Sequence, residues 1–127
     1  SEIYFLRGDY QQSRAYAELA IRYAESNFTF RARIYTLMGR ICEQENDLEG
    51  AQDNFSWALM ILEQHEDVFA LSRAQANLGA LFLQTAHYEE AAALLNAAEK
   101  IQLQLGDQVA LAVIQHNLRL LDIAISN

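Results

Sequence analysis

Gly39 is followed by Ala51 and Ala58, and Gly79 by Ala91 and Ala98, so one ladder with steps of 12 and 7 occurs twice, 40 residues apart. A fixed period constrains architecture more than any local propensity, because each repeat must be one supersecondary unit that stacks on its neighbours. The pair Asn77-Leu78 returns 40 residues later as Asn117-Leu118. Breaks at Gly8, Asn46 and Ala86 each precede a small residue (Ser13, Ala51, Ala91) by five, and the first interval, Gly8 to Asn46, is 38. Three units in one register are expected, in a single domain spanning residues 1–127.

The units read as helix pairs. The chain has no proline and only five glycines, which suits long helices and leaves few turns for a β-sandwich. Apolar positions at helical spacing predict helices over about 10–25, 29–45, 48–65, 67–85, 88–105 and 107–126. Residues 1–7 read as the tail of a preceding helix. Asp9 with Gln12 has the spacing of a capping box, Asn46-Asp47 ends one helix and caps the next, and Gly106 suits a C-terminal cap. The predicted faces are Ile34, Tyr35, Met38, Ile41 and Cys42; then Leu48, Ala51, Phe55, Ala58, Leu59 and Leu62; then Ala74, Leu78, Leu81 and Phe82; then Ala91, Ala92, Leu95 and Ala98. A helix-interior glycine costs up to about 1 kcal/mol relative to alanine, so Gly39 and Gly79 need a reason. Close approach of the second helix of each pair supplies one. Trp57 lies off its helix's main stripe, and packing on the following helix is expected.

These residues resemble the tetratricopeptide repeat, whose signature begins W-x2-L-G-x2-Y and continues with small residues in the second helix. The first part stands here as Tyr35-x2-Met38-Gly39-x2-Cys42 and Gln75-x2-Leu78-Gly79-x2-Phe82. The family's G-D-Y turn appears as Gly8-Asp9-Tyr10, Asn46-Asp47-Leu48 and Ala86-His87-Tyr88. Two departures are plain: Glu25, Glu63 and Leu103 replace the closing proline, and the period is 40 residues against about 34 in the family. The longer form is similar to repeats of G-protein-signalling modulators, Rap-type phosphatase regulators and, more loosely, kinesin light chains. The resemblance implies an all-α fold, an α-solenoid of about three antiparallel helix pairs in a right-handed superhelical stack.

In such arrays the first helix of each pair lines a concave groove. The register assigns to that groove Arg33, Leu37, Arg40 and Gln44, then Arg73, Asn77, Ala80 and Gln84, then His116, Asn117 and Leu120. Arginines would clamp carboxylates and asparagine amides would pair with a peptide backbone. The competing reading pairs the arginines with Glu43 and Glu45 or leaves them solvated.

Net charge is −8, which disfavours nucleic acid and anionic membranes as partners, since both require a basic face. No apolar run is expected to reach the roughly 20 residues that span a bilayer. Cys42 is alone, so no internal disulfide can form; a cytoplasmic setting and a packing role for the thiol follow. His65, His87 and His116 show no ligand-like spacing, and no nucleophile motif or glycine-rich loop accompanies the Glu pairs. No metal, cofactor or catalysis is therefore expected. The last helix carries Leu111, Val113, Leu120, Ile123 and Ile125 on several sides, which anticipates either a further repeat or self-association through Leu120 and Ile123. The expected function is a scaffold, part of a larger protein, that binds a protein or peptide segment, acidic in character. The alternatives are a self-assembly module and the sensory segment of a signalling or transcriptional regulator.

Overall fold

Helix starts recur every twenty residues. In the computed structural model, which describes residues 9–23, 27–65 and 67–126, the helices are α1 (Asp9–Tyr23), α2 (Phe28–Gln44), α3 (Leu48–Glu63), α4 (Val68–Gln84), α5 (Tyr88–Leu105) and α6 (Gln108–Ser126). No strand occurs among the described residues, and the fold is all-α. The expected segment 1–7 and the first turn at Gly8 lie outside the described residues.

The residues before α2 to α6 are Asn27, Asp47, Asp67, His87 and Asp107. Four of them satisfy backbone N–H groups that a helix start leaves without an intrahelical acceptor. Asn27 Oδ1 accepts from Phe30 N at 3.1 Å, Asp47 Oδ1 from Gly50 N at 2.9 Å, and Asp67 Oδ1 from Ala70 N at 3.1 Å. Asp107 Oδ1 accepts from Val109 N at 3.1 Å and Ala110 N at 3.2 Å. His87 makes no side-chain cap; its Nδ1 instead lies 2.8 Å from Thr85 Oγ1. Between the helices of each pair the chain turns through a left-handed residue, Asn46 at φ 60° and Ala86 at φ 64°. Gly106, at φ 80°, ends α5 as expected, its N–H donating to Gln102 O at 2.8 Å.

α2 and α3 run antiparallel. Phe28 at one end of α2 stacks on His65 just past α3 (centroids 3.6 Å apart), Tyr35 stacks on Trp57 (6.3 Å), and Cys42 Sγ accepts from Asn54 Nδ2 at 3.8 Å. α4 and α5 repeat the arrangement. Both glycines sit where the paired helix presses closest: a Cβ at Gly39 would lie 2.6 Å from Phe55 Cδ1 and Cε1, and one at Gly79 would lie 2.9 Å from Leu95 Cγ. The packing reason inferred for them holds.

In the first pair α3 is better buried than α2, whereas in the second α4 and α5 are buried to a similar extent. Ala51, Phe55, Ala58, Leu59 and Leu62 of α3 are buried, as are Ala91, Leu95 and Ala98 of α5. The core runs from α2 through α3 into Ala74, Leu78 and Leu81 of α4, and a second cluster joins Ala91 and Leu95 to Leu121 of α6. One element of this core is polar. Gln102 Nε2 donates to Ser72 Oγ at 2.6 Å, which donates to Phe69 O at 2.9 Å; both side chains are fully buried, and Gln102 Oε1 has no partner. The equivalent positions one period earlier hold Ala32 and Leu62, an apolar pair.

Three expectations need correction. On α2 the buried residues are Ala32 and Gly39, with Tyr35 and Cys42 packed at the core edge, while Ile41 is 44% exposed. Ile41 points away because Phe28, Tyr35, Gly39 and Cys42 form the edge of α2 that faces α3. Trp57 packs back on Tyr35 of the preceding helix rather than on the following one, and stays 52% exposed. Finally, α6 is by length and composition apolar enough to cross a bilayer, contrary to expectation. Its central third nevertheless holds His116 and Arg119, and an arginine at a helix centre costs about 3 kcal/mol to insert.

Candidate functional site

The groove begins as the space between α2 and α4. Each belongs to a different pair, and α3 between them sets their separation. The cavity encloses about 440 Å³ and is lined from α2 by Thr29, Ala32, Arg33, Thr36, Leu37 and Arg40, from α4 by Phe69, Ala70, Arg73, Ala74 and Asn77, and at its base by Leu62. Its floor is apolar and its rim is charged. Ala32, Leu62 and Ala74 are buried beneath it, while Arg33, Arg40 and Arg73 are exposed around it. A smaller hollow of about 230 Å³ adjoins it through Thr29 and Arg33.

Arg33 and Arg40 share a face because they stand two helical turns apart, and Arg73 reaches the same space from α4. Three of the chain's nine Lys and Arg residues thus meet in one cavity of a protein of net charge −8. Two carboxylates stand near. Asp67, at one end, is occupied: Oδ1 caps α4 and Oδ2 receives Thr29 Oγ1 at 3.5 Å. Glu43 lies one turn beyond Arg40; burial pushes its carboxyl up from the usual range, and the Arg40 charge opposes that shift. Neither carboxylate forms an ion pair with the groove arginines among the described residues. Thr36 spends its hydroxyl on Ala32 O at 2.9 Å, so it offers a methyl and an oxygen lone pair to the cavity.

Of the residues assigned from sequence, Arg33, Leu37, Arg40, Arg73 and Asn77 line this one cavity. Gln44 and Gln84 are exposed at the last residues of α2 and α4, outside it, and Ala80 also lies outside it. His116 is exposed and Asn117 half-buried on α6, and neither reaches the α2–α4 space. Leu120 and Ile123 are 42% and 58% exposed, one turn apart on α6. Thr29, Thr36 and Phe69 line the cavity and were not anticipated. Each stands three or four residues from a groove arginine, so helical periodicity alone would have found them.

Cys42 is half-buried against the core. Burial first, then the negative charges of Asp47 and Glu45, push its thiol pKa up, which disfavours the thiolate a reactive cysteine needs. Among the described residues no group of His, Cys, Asp and Glu could hold a metal ion. In comparisons with known proteins, no family model and no curated protein matches this sequence.

Proposed function

We propose that the chain is a binding module of tetratricopeptide type, its helix pairs stacked as a right-handed α-solenoid, and that the α2–α4 groove receives an extended acidic segment of a protein partner. The observation that carries the reading is the meeting of Arg33, Arg40 and Arg73 with Asn77 over an apolar floor. A guanidinium donates in a planar fork that matches a carboxylate, and a half-buried asparagine amide can both donate to and accept from a peptide backbone. The work is recognition, not catalysis. The 40-residue register and the antiparallel pairs support the solenoid arrangement.

The test is binding of the purified chain to a diverse peptide array, beside the variant Arg33→Glu/Asn77→Ala. Selective capture of acidic peptides by the parent, lost in the variant and weakened by salt, is expected. Equal binding by the two proteins refutes the groove. Exposed Leu120 and Ile123 favour a second reading, self-association through α6. It requires a molecular size that rises with concentration and falls on Leu120→Asp or Ile123→Asp.

A further inference from the structure

The groove register continues onto α6, and its chemistry changes there. Advancing Arg33 and Arg73 by one more period gives Val113, and advancing Arg40 and Ala80 gives Leu120. Thr29 and Phe69 are followed in the same way by Val109. α6 packs on α5 and touches α4, and Val109, Val113 and Leu120 remain 77%, 55% and 42% exposed. By that register one face runs from guanidinium groups on α2 and α4 to Val109, Val113 and Leu120 on α6, with exposed His116 among them.

An added helix pair is the obvious alternative cover for apolar residues at this end, and the register argues against it. Position 39 and position 79 are glycines because the next helix presses a Phe55 or Leu95 side chain against them. The third equivalent is Arg119, and the equivalents of Cys42 and Phe82 are Asp122; both are exposed. A seventh helix docked as α3 and α5 are docked would meet an arginine where the previous two meet no side chain at all. The face of α6 suited to a further helix carries Arg119 and Asp122, whereas its groove face carries Val109, Val113 and Leu120 around exposed His116, with half-buried Asn117 at its edge.

We infer that the concave face is bipartite, and that its partner is a peptide segment carrying carboxylates for the α2–α4 arginines and, a few residues along, branched aliphatic side chains for Val109, Val113 and Leu120. The inference rests on the binding reading above and specifies its ligand. With neighbouring helices about 10 Å apart, the two halves are separated by roughly 15 Å. At about 3.3 Å per extended residue, that is some four or five positions of the ligand.

The experiment uses the whole chain and fluorescently labelled peptides read by anisotropy. One peptide has an Asp/Glu end and a Leu/Ile end at that spacing; others have only the acidic end, only the aliphatic end, or the same residues with the two ends made adjacent. The bipartite peptide is expected to bind about tenfold more tightly than the acidic one, equivalent to about 1.4 kcal/mol. Val109→Ser/Val113→Ser, and separately Val109→Ala/Val113→Ala, should remove that advantage and leave the acidic peptide's affinity within about twofold, with helix content unchanged by circular dichroism. If the bipartite and acidic peptides bind alike, or the α6 variants keep the advantage, this inference is wrong while the arginine groove stands. Failure of every acidic peptide to bind overturns both. Concentration-dependent dimers that dissociate in the α6 variants, and with which the bipartite peptide does not compete, assign the apolar half to a second copy of the chain and overturn the inference.

Discussion

Replacing Gly39 by alanine sets two magnitudes of similar size against each other, and the geometry decides between them. Helix propensity alone favours alanine by about 1 kcal/mol. The new methyl, however, would lie 2.6 Å from two ring carbons of Phe55 and 3.2 Å from a third, and Phe55 is itself 2% exposed. A buried ring has no empty volume to turn into, so α2 must back away from α3; overpacking of this kind costs about 1–3 kcal/mol. At Gly79 the nearest atoms are Leu95 Cγ at 2.9 Å, Leu95 Cδ2 at 3.1 Å and Leu94 Cβ at 3.3 Å. That contact is looser. Gly39→Ala should therefore destabilise by about 0–2 kcal/mol, and Gly79→Ala by less. The assay is equilibrium unfolding in urea followed by far-UV circular dichroism, with the slope compared as well as the midpoint. The double variant Gly39→Ala/Phe55→Leu recreates the Gly79–Leu95 type of contact with a methyl added, and should recover part of the loss as a favourable coupling energy. Stabilisation by Gly39→Ala, or strict additivity with Phe55→Leu, would refute the close-approach account of both glycines.

Three further outcomes follow from particular contacts. Ala86→Gly relieves an alanine held at φ 64°, and should stabilise by about 0.5–1 kcal/mol after the extra chain entropy of glycine is subtracted; thermal unfolding checks it, and Asn46→Gly, at a residue that tolerates this region, should change little. Ser72→Ala/Gln102→Leu installs the apolar pair found at Ala32 and Leu62 and removes the unpartnered Gln102 Oε1, so stability in urea should rise by about 1–3 kcal/mol; a fall would mean the carbonyl is satisfied. Glu43→Gln concerns a carboxyl whose folded pKa is raised above its unfolded value, so ionisation in the native state costs stability. That cost is absent below the unfolded value, grows as pH rises through the carboxylate range, and is complete above the folded value. The variant's melting temperature should exceed the parent's at neutral pH, and the two should converge in acid.

Much of the fold was legible because its signals are local. Helix bounds were within about two residues everywhere the structure describes them, since periodic apolar positions and Asx caps act over a single turn. The caps stand at a strict twenty-residue pitch, so Asn27, Asp47, Asp67 and Asp107 form a signal that the sequence itself carries. The cavity was legible in part. Arg33, Arg40, Arg73 and Asn77 came from the register, whereas Gln44, Gln84, His116 and Asn117 share that assignment and lie outside the α2–α4 space. Register gives a direction around a helix; it does not say how far along the helix a neighbour still stands opposite.

The helices, their pairing and the two places where a paired helix must press close are written locally, because spacing, capping and the absence of a side chain are properties of short stretches. Three-dimensional packing set the rest: Tyr35 rather than a later helix receives Trp57, Ile41 faces outward, and Ser72 and Gln102 meet inside the core. It also decided that Gln44 and Gln84 fall outside the space where Arg33, Arg40 and Arg73 meet, between α2 and α4. Each of these outcomes depends on the distance between helices remote in sequence. That distance is set by the summed volumes of the side chains between them, and no single residue carries it.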